Sequence, residues 1–98
     1  MITEIQCLPR PTGTDDDRYA HVHAAIELIE TSGLTYEVGA LGTTIEGEPD
    51  QVWPLLRRVH EACLSAGADS VITVIKVAQT AIADDAPTIS GLTKRYRD

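Results

Sequence analysis

Two amphipathic helical patterns, separated by short β-type segments, are the feature that most constrains this chain of 98 residues. In both patterns, apolar side chains recur at steps of three and four, which predicts two helices that each bury one face. The first repeat consists of Tyr19, Val22, Ile26 and Ile29, and the second of Val52, Leu56, Val59, Cys63 and Ala66. Gly33 and Gly67 follow these repeats at the positions where a helix commonly ends.

The remaining segments have the alternation or the β-branched content of strands. The segment Ile2–Pro9 alternates, with Thr3, Ile5 and Cys7 on one face and Ile2, Glu4, Gln6 and Leu8 on the other. The segment Leu34–Glu48 predicts two short strands joined by a turn near Gly39 and Gly42. The segment Ser70–Gln79 is apolar on both faces except at Lys76, which is typical of a strand covered on two sides.

The order strand, helix, strand, strand, helix, strand predicts an α+β fold of the ferredoxin-like βαββαβ type. Its four strands form one antiparallel sheet, and both helices cover the same face. We expect a single domain over residues 1–98, in which residues 80–98 form a variable tail with a short basic helix. The uncovered face carries apolar side chains that should not stay in water, so we expect a dimer or tetramer formed through sheet faces. These side chains are Ile2, Leu8, Ile72 and Val74, or the opposite set of the same strands.

Charge and composition exclude several partners. The formal net charge is -7, which disfavours nucleic acids, anionic membranes and highly phosphorylated ligands. No apolar run approaches the about 18 residues of a membrane span, and no secretion signal is visible at the N-terminus. With only two cysteines, a disulfide framework is not expected. We therefore expect a cytoplasmic protein with reduced thiols.

The sequence displays no catalytic or metal-binding signature. His21 and His23 are two residues apart on a helix and do not face each other, while His60 lies three residues from Cys63, a position of the core stripe. A nucleophile built from Cys7 and His60 is conceivable, but no catalytic motif surrounds either residue, which favours a core cysteine. The chain has no asparagine and no phosphate-binding loop. We therefore expect neither an enzyme, nor a metal site, nor a cofactor.

Polar side chains on otherwise apolar strands are the remaining candidates for function. Glu46 stands out because strands are poor in glutamate. One interpretation places these residues at edges or in solvent, with Lys76 paired to Glu4 or Glu46. The other interpretation is a pocket with a few convergent polar groups, either between sheet and helices or between subunits. The set is Thr3, Glu4, Gln6, Tyr36, Thr43, Thr44, Glu46, Thr73 and Lys76.

Three stretches resemble the thiamine-binding protein family. They are "MITEIQCLP", "AIELIETSGLTYEVGALGTTIEGEPDQVW" and "HEACLSAGADSVITVIKV", which occur in this order over about residues 1–78. The resemblance implies a ferredoxin-like subunit that assembles into dimers and tetramers. It also implies non-catalytic binding of thiamine or of its hydroxymethylpyrimidine half, for buffering, salvage or delivery. The alternative function is a regulatory or structural homo-oligomer without a small-molecule ligand.

The chemistry of thiamine suggests roles for individual side chains. A carboxylate at Glu46 would accept a hydrogen bond from the exocyclic amine of the pyrimidine, since charge-assisted bonds are among the strongest. Thr43 or Thr44 would supply a hydroxyl, and only one of the two can point the right way because side chains alternate along a strand. Tyr36 would stack on a ring or donate to it. The expected ligand-binding set is Glu46, Thr43, Thr44, Tyr36, Gln6 and Lys76.

Overall fold

The computed structural model describes residues 1–97 and contains one four-stranded antiparallel sheet with the strand order β2-β3-β1-β4. This order is that of the ferredoxin-like fold, so the predicted fold class is confirmed. The strands are β1 (Ile2–Arg10), β2 (Thr35–Val38), β3 (Thr43–Glu46) and β4 (Ser70–Ala78). The helices are α1 (Ala20–Glu30), α2 (Pro49–Ser65) and the short α3 (Ile89–Thr93), with single 3-10 turns at Ala83–Asp85 and Lys94–Tyr96.

The alternation of β1 separates its two faces as predicted. Ile5, on the face covered by α1 and α2, is 3% exposed, whereas Leu8 on the opposite face is 46% exposed. The core therefore forms between the sheet and the two long helices, and the other face is open. The buried core consists of Ile5, Ala25, Ile29, Ile45, Val52, Leu55, Leu56, Val59, Cys63 and Ala68.

The strands differ in length, and this mismatch shapes the molecule. β4 pairs with β1 along its whole length, but β3 pairs only with Ile2 to Ile5. The second half of β1 therefore has a free edge on the side of β3. Pro9 lies in this half, and β1 continues through it to Arg10 rather than ending there. A proline at an unpaired edge removes no ladder hydrogen bond, which explains why it is tolerated.

Helix α1 buries a different stripe from the one that the spacing predicts. The buried residues are His21, Ala25 and Ile29, and only the last belongs to the predicted set. Val22 and Ile26 are half-buried, while Tyr19 precedes the helix and is 50% exposed. The imidazole Nδ1 of His21 lies 2.7 Å from the carbonyl oxygen of Pro11, which gives this buried polar ring a partner.

Helix α2 follows the prediction closely. It begins at Pro49, where a missing N–H costs nothing, and continues through Pro54 without a break. Its buried stripe gains Leu55 and lacks Ala66, which is the exposed C-cap. The long apolar stripe explains why this helix supplies half of the core.

Strand β4 is not covered on two sides, so that expectation is wrong for the single chain. β4 lies at the edge of the sheet, and Ile72 and Val74 on its open face are 65% and 46% exposed. On the face toward the helices, Ile75 and Val77 still expose 39% and 41% because α2 covers only part of the strand.

The C-terminal segment covers one end of the open face. Ile89 of α3 is 8% exposed, as is Ile2 of β1, and α3 contacts β3. The basic residues predicted for a helix lie instead in the 3-10 turn Lys94–Tyr96 that follows α3, and the next residue, Arg97, pairs with Glu37. Within residues 1–97, no helix combines the length and hydropathy required to cross a membrane.

Candidate functional site

A cavity of about 390 Å³ lies between α1, the second half of β1 and the β2–β3 connection. Most of its wall is apolar, and a few polar groups interrupt it. This is the usual composition of a small-molecule site. The lining residues are Ile5, Gln6, Cys7, Leu8, Pro9, Thr12, Tyr19, Val22, Ala25, Ile26, Ile29, Gly39, Ala40, Leu41, Gly42, Thr43 and Val59.

The mismatch between the strands creates this cavity. Because β3 begins at Thr43, nothing pairs with β1 beyond Ile5 on that side, and a gap opens beneath α1. Val22 and Ile26 form the helical wall of this gap, which accounts for the part of the predicted α1 stripe that does not enter the core. The β2–β3 connection closes the gap from the side, where the N–H of Gly39 donates to the carbonyl oxygen of Gly42 at 2.9 Å.

The free edge of β1 presents backbone polar groups to the cavity. Successive residues of an antiparallel strand direct their N–H and C=O groups alternately to the two neighbouring strands. The carbonyl oxygen of Met1 accepts from Gly47 on the β3 side, and that of Arg10 accepts from Asp69 on the β4 side. Odd-numbered residues therefore face β3. Cys7 is the first of them beyond the end of the β3 ladder, so its N–H and C=O point to the cavity.

The hydroxyl of Thr43 is a second polar group at this wall. Thr43 is only 4% exposed and lies on the helix-covered face, opposite Ile5 in the ladder. Among residues 1–97, the buried side-chain hydroxyl without a hydrogen-bond partner is that of Thr3, not that of Thr43. The Thr43 hydroxyl can donate and accept, so it is available to a ligand in the cavity.

The six side chains predicted to bind ligand do not converge on one place. Thr43 and Gln6 line the cavity, whereas Glu46, Thr44, Tyr36 and Lys76 do not. The register explains the division, because Glu46 and Thr44 pair with Ile2 and Glu4, whose side chains lie on the open face. Lys76 lies on the same face opposite Glu4. Tyr36 lies on the helix-covered face but at the sheet edge, where it is 38% exposed.

Glu46 is held by a group that the sequence does not suggest. Its Oε1 accepts a hydrogen bond of 2.6 Å from the backbone N–H of Ile89, at the start of α3. Neither Lys76 nor a ligand is needed to give this carboxylate a partner. Lys76 instead lies 3.7 Å from Oε1 of Glu4 in a solvent-exposed ion pair. A ligand-binding role for Glu46, Thr44, Tyr36 and Lys76 therefore stays a prediction, separate from the cavity.

Two of the groups at the cavity were outside the predicted set. Tyr19 and Leu41 line the cavity and are 50% and 82% exposed, so their side chains lie at its mouth. The signal for Tyr19 was its place in the α1 repeat, since an aromatic residue before a helix can extend an apolar wall. Leu41 lies in the β2–β3 connection, and an isolated apolar residue in a turn carries no pattern.

A chain of polar contacts runs from Cys7 into the protein. The Thr73 hydroxyl lies 3.7 Å from the Cys7 sulfur and 2.5 Å from Nδ1 of His60. Burial, which is the largest cause, and the neighbouring Cys7 together raise the pKa of the Cys63 thiol to about 12. Both cysteines are free. Residues 1–97 contain no cluster of three or more histidine, cysteine or carboxylate side chains suited to a metal ion.

Comparison with known proteins decides the family. The model of a family described as thiamine-binding protein matches residues 3–95, including most of the C-terminal segment that lies beyond the quoted stretches. The chain belongs to the thiamine-binding protein family. A UPF0045 protein of Clostridium perfringens is 36% identical over 67 residues, which cover 68% of this chain and 70% of that protein.

Solved structures of similar proteins share the fold over nearly the whole chain. A DUF77 domain from Bacillus cereus is 37% identical, with a TM-score of 0.85, and the match covers 99% of this chain and 89% of that one. A protein from Thermotoga maritima, named as a candidate thiamine biosynthesis/salvage protein, has a TM-score of 0.80 at 23% identity, with coverage of 98% and 97%. At that identity the likeness shows the fold alone.

Proposed function

We propose that this protein binds thiamine or its hydroxymethylpyrimidine half in the cavity beneath α1, without catalysis, and that it buffers, salvages or delivers this ligand in the cytoplasm. The family membership gives the ligand class. The observation that carries the location is the free edge of β1, where the backbone of Cys7 faces an apolar cavity beside the Thr43 hydroxyl.

The chemistry of the cavity suits an aminopyrimidine. Such a ring presents an amine donor next to a ring-nitrogen acceptor, and the N–H and C=O of one strand residue form the complementary pair. Thr43 adds a hydroxyl that can donate or accept. The ring faces would contact Val22 and Ile26 of α1, and Tyr19 at the mouth is available for stacking.

Charge favours the unphosphorylated, cationic vitamin over its diphosphate. The loop between β1 and α1 carries three consecutive acids, Asp15, Asp16 and Asp17. Thr12 and Tyr19, on either side of these acids, both line the cavity. A thiazolium cation near the mouth would therefore lie in a negative potential, whereas a diphosphate would be repelled.

We also propose that the chain acts as a homo-oligomer, a dimer or tetramer formed through the open sheet face. Leu8, Ile72 and Val74 expose 46%, 65% and 46% of their surface and lie side by side across β1 and β4. α3 covers only the other end of this face. A second subunit would bury the apolar patch and would bring its own Glu46, Thr44 and Lys76 close to these strands.

Calorimetry with matched variants tests the location of the site. Thiamine, hydroxymethylpyrimidine and thiamine diphosphate are titrated into the wild-type protein, Thr43→Val and Glu46→Gln. Valine keeps the shape of threonine and removes the hydroxyl, so we expect about 3- to 10-fold weaker binding, the equivalent of one neutral hydrogen bond. Glu46→Gln should stay within about twofold of the wild type, because Glu46 lies outside the cavity.

The opposite pattern of affinities in the two variants would place the ligand outside the cavity. A loss of about tenfold or more in Glu46→Gln, with Thr43→Val unchanged, would locate the ligand on the open face, between subunits. Stronger binding of the diphosphate than of thiamine would contradict the charge argument. The absence of heat with all three compounds would favour the alternative function, a structural or regulatory homo-oligomer.

A further inference from the structure

Cys7 belongs both to the cavity and to a chain of polar groups that ligand binding does not require. Its side chain lies on the helix-covered face of β1, and the residue lines the cavity. Thr73 pairs with it across the β1–β4 ladder, and the Thr73 hydroxyl lies 3.7 Å from the Cys7 sulfur. The same hydroxyl lies 2.5 Å from Nδ1 of His60 on α2. Three elements, β1, β4 and α2, thus connect a thiol to an imidazole through one hydroxyl.

The two cysteines have unequal roles in this cluster. Cys63 is fully buried in the core, whereas Cys7 is half-buried. Since burial raises the pKa of Cys63 to about 12, this thiol keeps its proton and is a poor nucleophile. The sulfur of Cys7 has the Thr73 hydroxyl as its hydrogen-bond partner. Of the two thiols, Cys7 is therefore the one that a reagent in the cavity would meet.

His60 can take the proton that Cys7 loses. Its ring is only half-buried, and its Nδ1 atom contacts the Thr73 hydroxyl directly. A hydroxyl donates one proton and accepts another, so Thr73 can pass a proton from sulfur to nitrogen without moving. Afterwards the protonated Nδ1 donates to Thr73, and the Thr73 hydroxyl donates to the sulfur, which is the order that a thiolate requires.

We propose that Cys7 is a modification site, a nucleophilic thiol that reacts with small uncharged electrophiles in the cavity after its proton passes through Thr73 to His60. The mostly apolar wall favours uncharged reagents beside the thiol, and the volume of about 390 Å³ limits their size. In the reaction with an alkyl iodide, a sulfur–carbon bond forms and the carbon–iodine bond breaks. Iodide leaves with the electron pair, and His60 holds the proton before releasing it to water.

This site is independent of the ligand proposed above. Its evidence is the contact of Cys7 with Thr73 and the contact of Thr73 with His60. None of these contacts requires a pyrimidine in the cavity. The modification test therefore succeeds or fails whether or not thiamine binds.

Alkylation by iodoacetamide, followed by peptide mass mapping over time, tests the proposal on the native wild-type protein. We expect Cys7 to be alkylated about 100-fold or more faster than Cys63, which should react only after unfolding in guanidinium chloride. Equal rates for the two thiols, or faster reaction of Cys63, would overturn the assignment.

Variants of the two relay residues separate the relay from simple exposure of Cys7. Thr73→Val keeps the shape and removes the hydroxyl, and His60→Gln removes the proton acceptor. Each should slow the alkylation of Cys7 about tenfold or more, while Thr73→Ser, which restores a hydroxyl, should react within about threefold of the wild type. Circular dichroism confirms that each variant is folded.

His60→Gln keeps the test decisive if Thr73→Val does not fold, because a half-buried ring on a helix tolerates substitution. Unchanged rates in His60→Gln would overturn the relay. Cys63→Ala serves as the control for alkylation at the second thiol, and Cys7 must still react in it.

Discussion

The two faces of the sheet differ more than any other two regions of the molecule. On the helix-covered face, Ile45 is fully buried, and a cavity opens beside the free edge of β1. On the open face, one residue along the same strand, Glu46 is half-buried and accepts a hydrogen bond from α3. Neighbouring residues of one short strand thus belong to a folding core and to a surface that holds the C-terminal segment.

This difference teaches that residue type alone does not locate a binding site in a two-faced sheet. Thr43 and Glu46 look equally suited to a ligand in "GTTIEG", but the pleat directs them to opposite faces, and Thr44 shares the open face with Glu46. The face with the cavity has few polar groups, and they are partly backbone groups. The open face has many polar side chains, and the carboxylates of Glu4, Glu37 and Glu46 already have partners.

Truncation of one isoleucine on each face should give the largest difference in stability between the two faces. Ile45→Ala removes a fully buried side chain and should lower the free energy of unfolding by about 2–5 kcal/mol. Ile72→Ala makes the same change on the open face at 65% exposure, and should cost under about 1 kcal/mol at protein concentrations where the chain is monomeric. Urea denaturation of both variants measures the difference. Equal costs would mean that the open face is already covered in the isolated chain.

A charge on the open face should prevent assembly. Ile72→Glu places a carboxylate in the exposed apolar patch of β1 and β4, and we expect a monomer by sedimentation velocity where the wild type forms a dimer or tetramer. Leu64→Glu is the matched control, because Leu64 is 43% exposed on α2, away from the sheet. An unchanged oligomer in Ile72→Glu, or a monomeric wild type, would refute assembly through this face.

Alkaline pH should lower the stability of the fold, because the Cys63 thiol is buried on the helix-covered face. The folded state raises the pKa of this thiol from its ordinary value of 9.0 to about 12, so above pH 9 the unfolded chain loses the proton first. The stabilisation is complete below pH 9 and is lost as the pH rises toward 12. Between pH 8 and pH 10.5, the denaturant midpoint should fall further for the wild type than for Cys63→Ala. Parallel slopes in the two proteins would contradict the link to this thiol.

Loss of the charge at Glu46 should have the smallest effect, confined to the open face. Glu46→Gln keeps an acceptor for the N–H of Ile89 but removes its charge, which should cost about 0.5–1.5 kcal/mol. Hydrogen exchange at the Ile89 amide should accelerate, while exchange at the core amide of Ile45 should not. Acceleration at both sites would show that α3 and the core unfold together. Glu61→Gln, on the outer face of α2, is the control for a change of net charge.

The fold could be predicted from the periodicity of apolar residues, and single elements show why this prediction succeeded or failed. Helix α2 was predicted well because its stripe is long and its start has a proline at the first position. Strand β1 was predicted to end at Pro9, but an unpaired edge lets it continue to Arg10. The prediction for β4 failed because its apolar composition is that of a strand covered on two sides, although β4 lies at the edge of the sheet.

The candidate site was harder to predict because it lies where the second half of β1 has no neighbouring strand on the side of β3. The cavity exists where β3 is too short to follow β1, and strand ends are the least certain feature of a sequence-based prediction. The backbone of Cys7 has no side-chain signature at all. The partner of Glu46 was equally hidden, since Ile89 lies 43 residues away in sequence and contributes only its N–H. Thr43 and Gln6, which line the cavity, were singled out because polar residues on apolar strands are conspicuous.

The free edge of β1 also makes the pocket separable from the scaffold. The ladder between β1 and β4, the core beneath α2 and the covered end of the open face do not depend on the connection between β2 and β3. Lengthening or shortening residues 39–42 would therefore reshape the entrance without disturbing the packing that holds the chain together. A grafted four-residue turn would then change which ligands the cavity accepts, while the rest of the fold would stay the same.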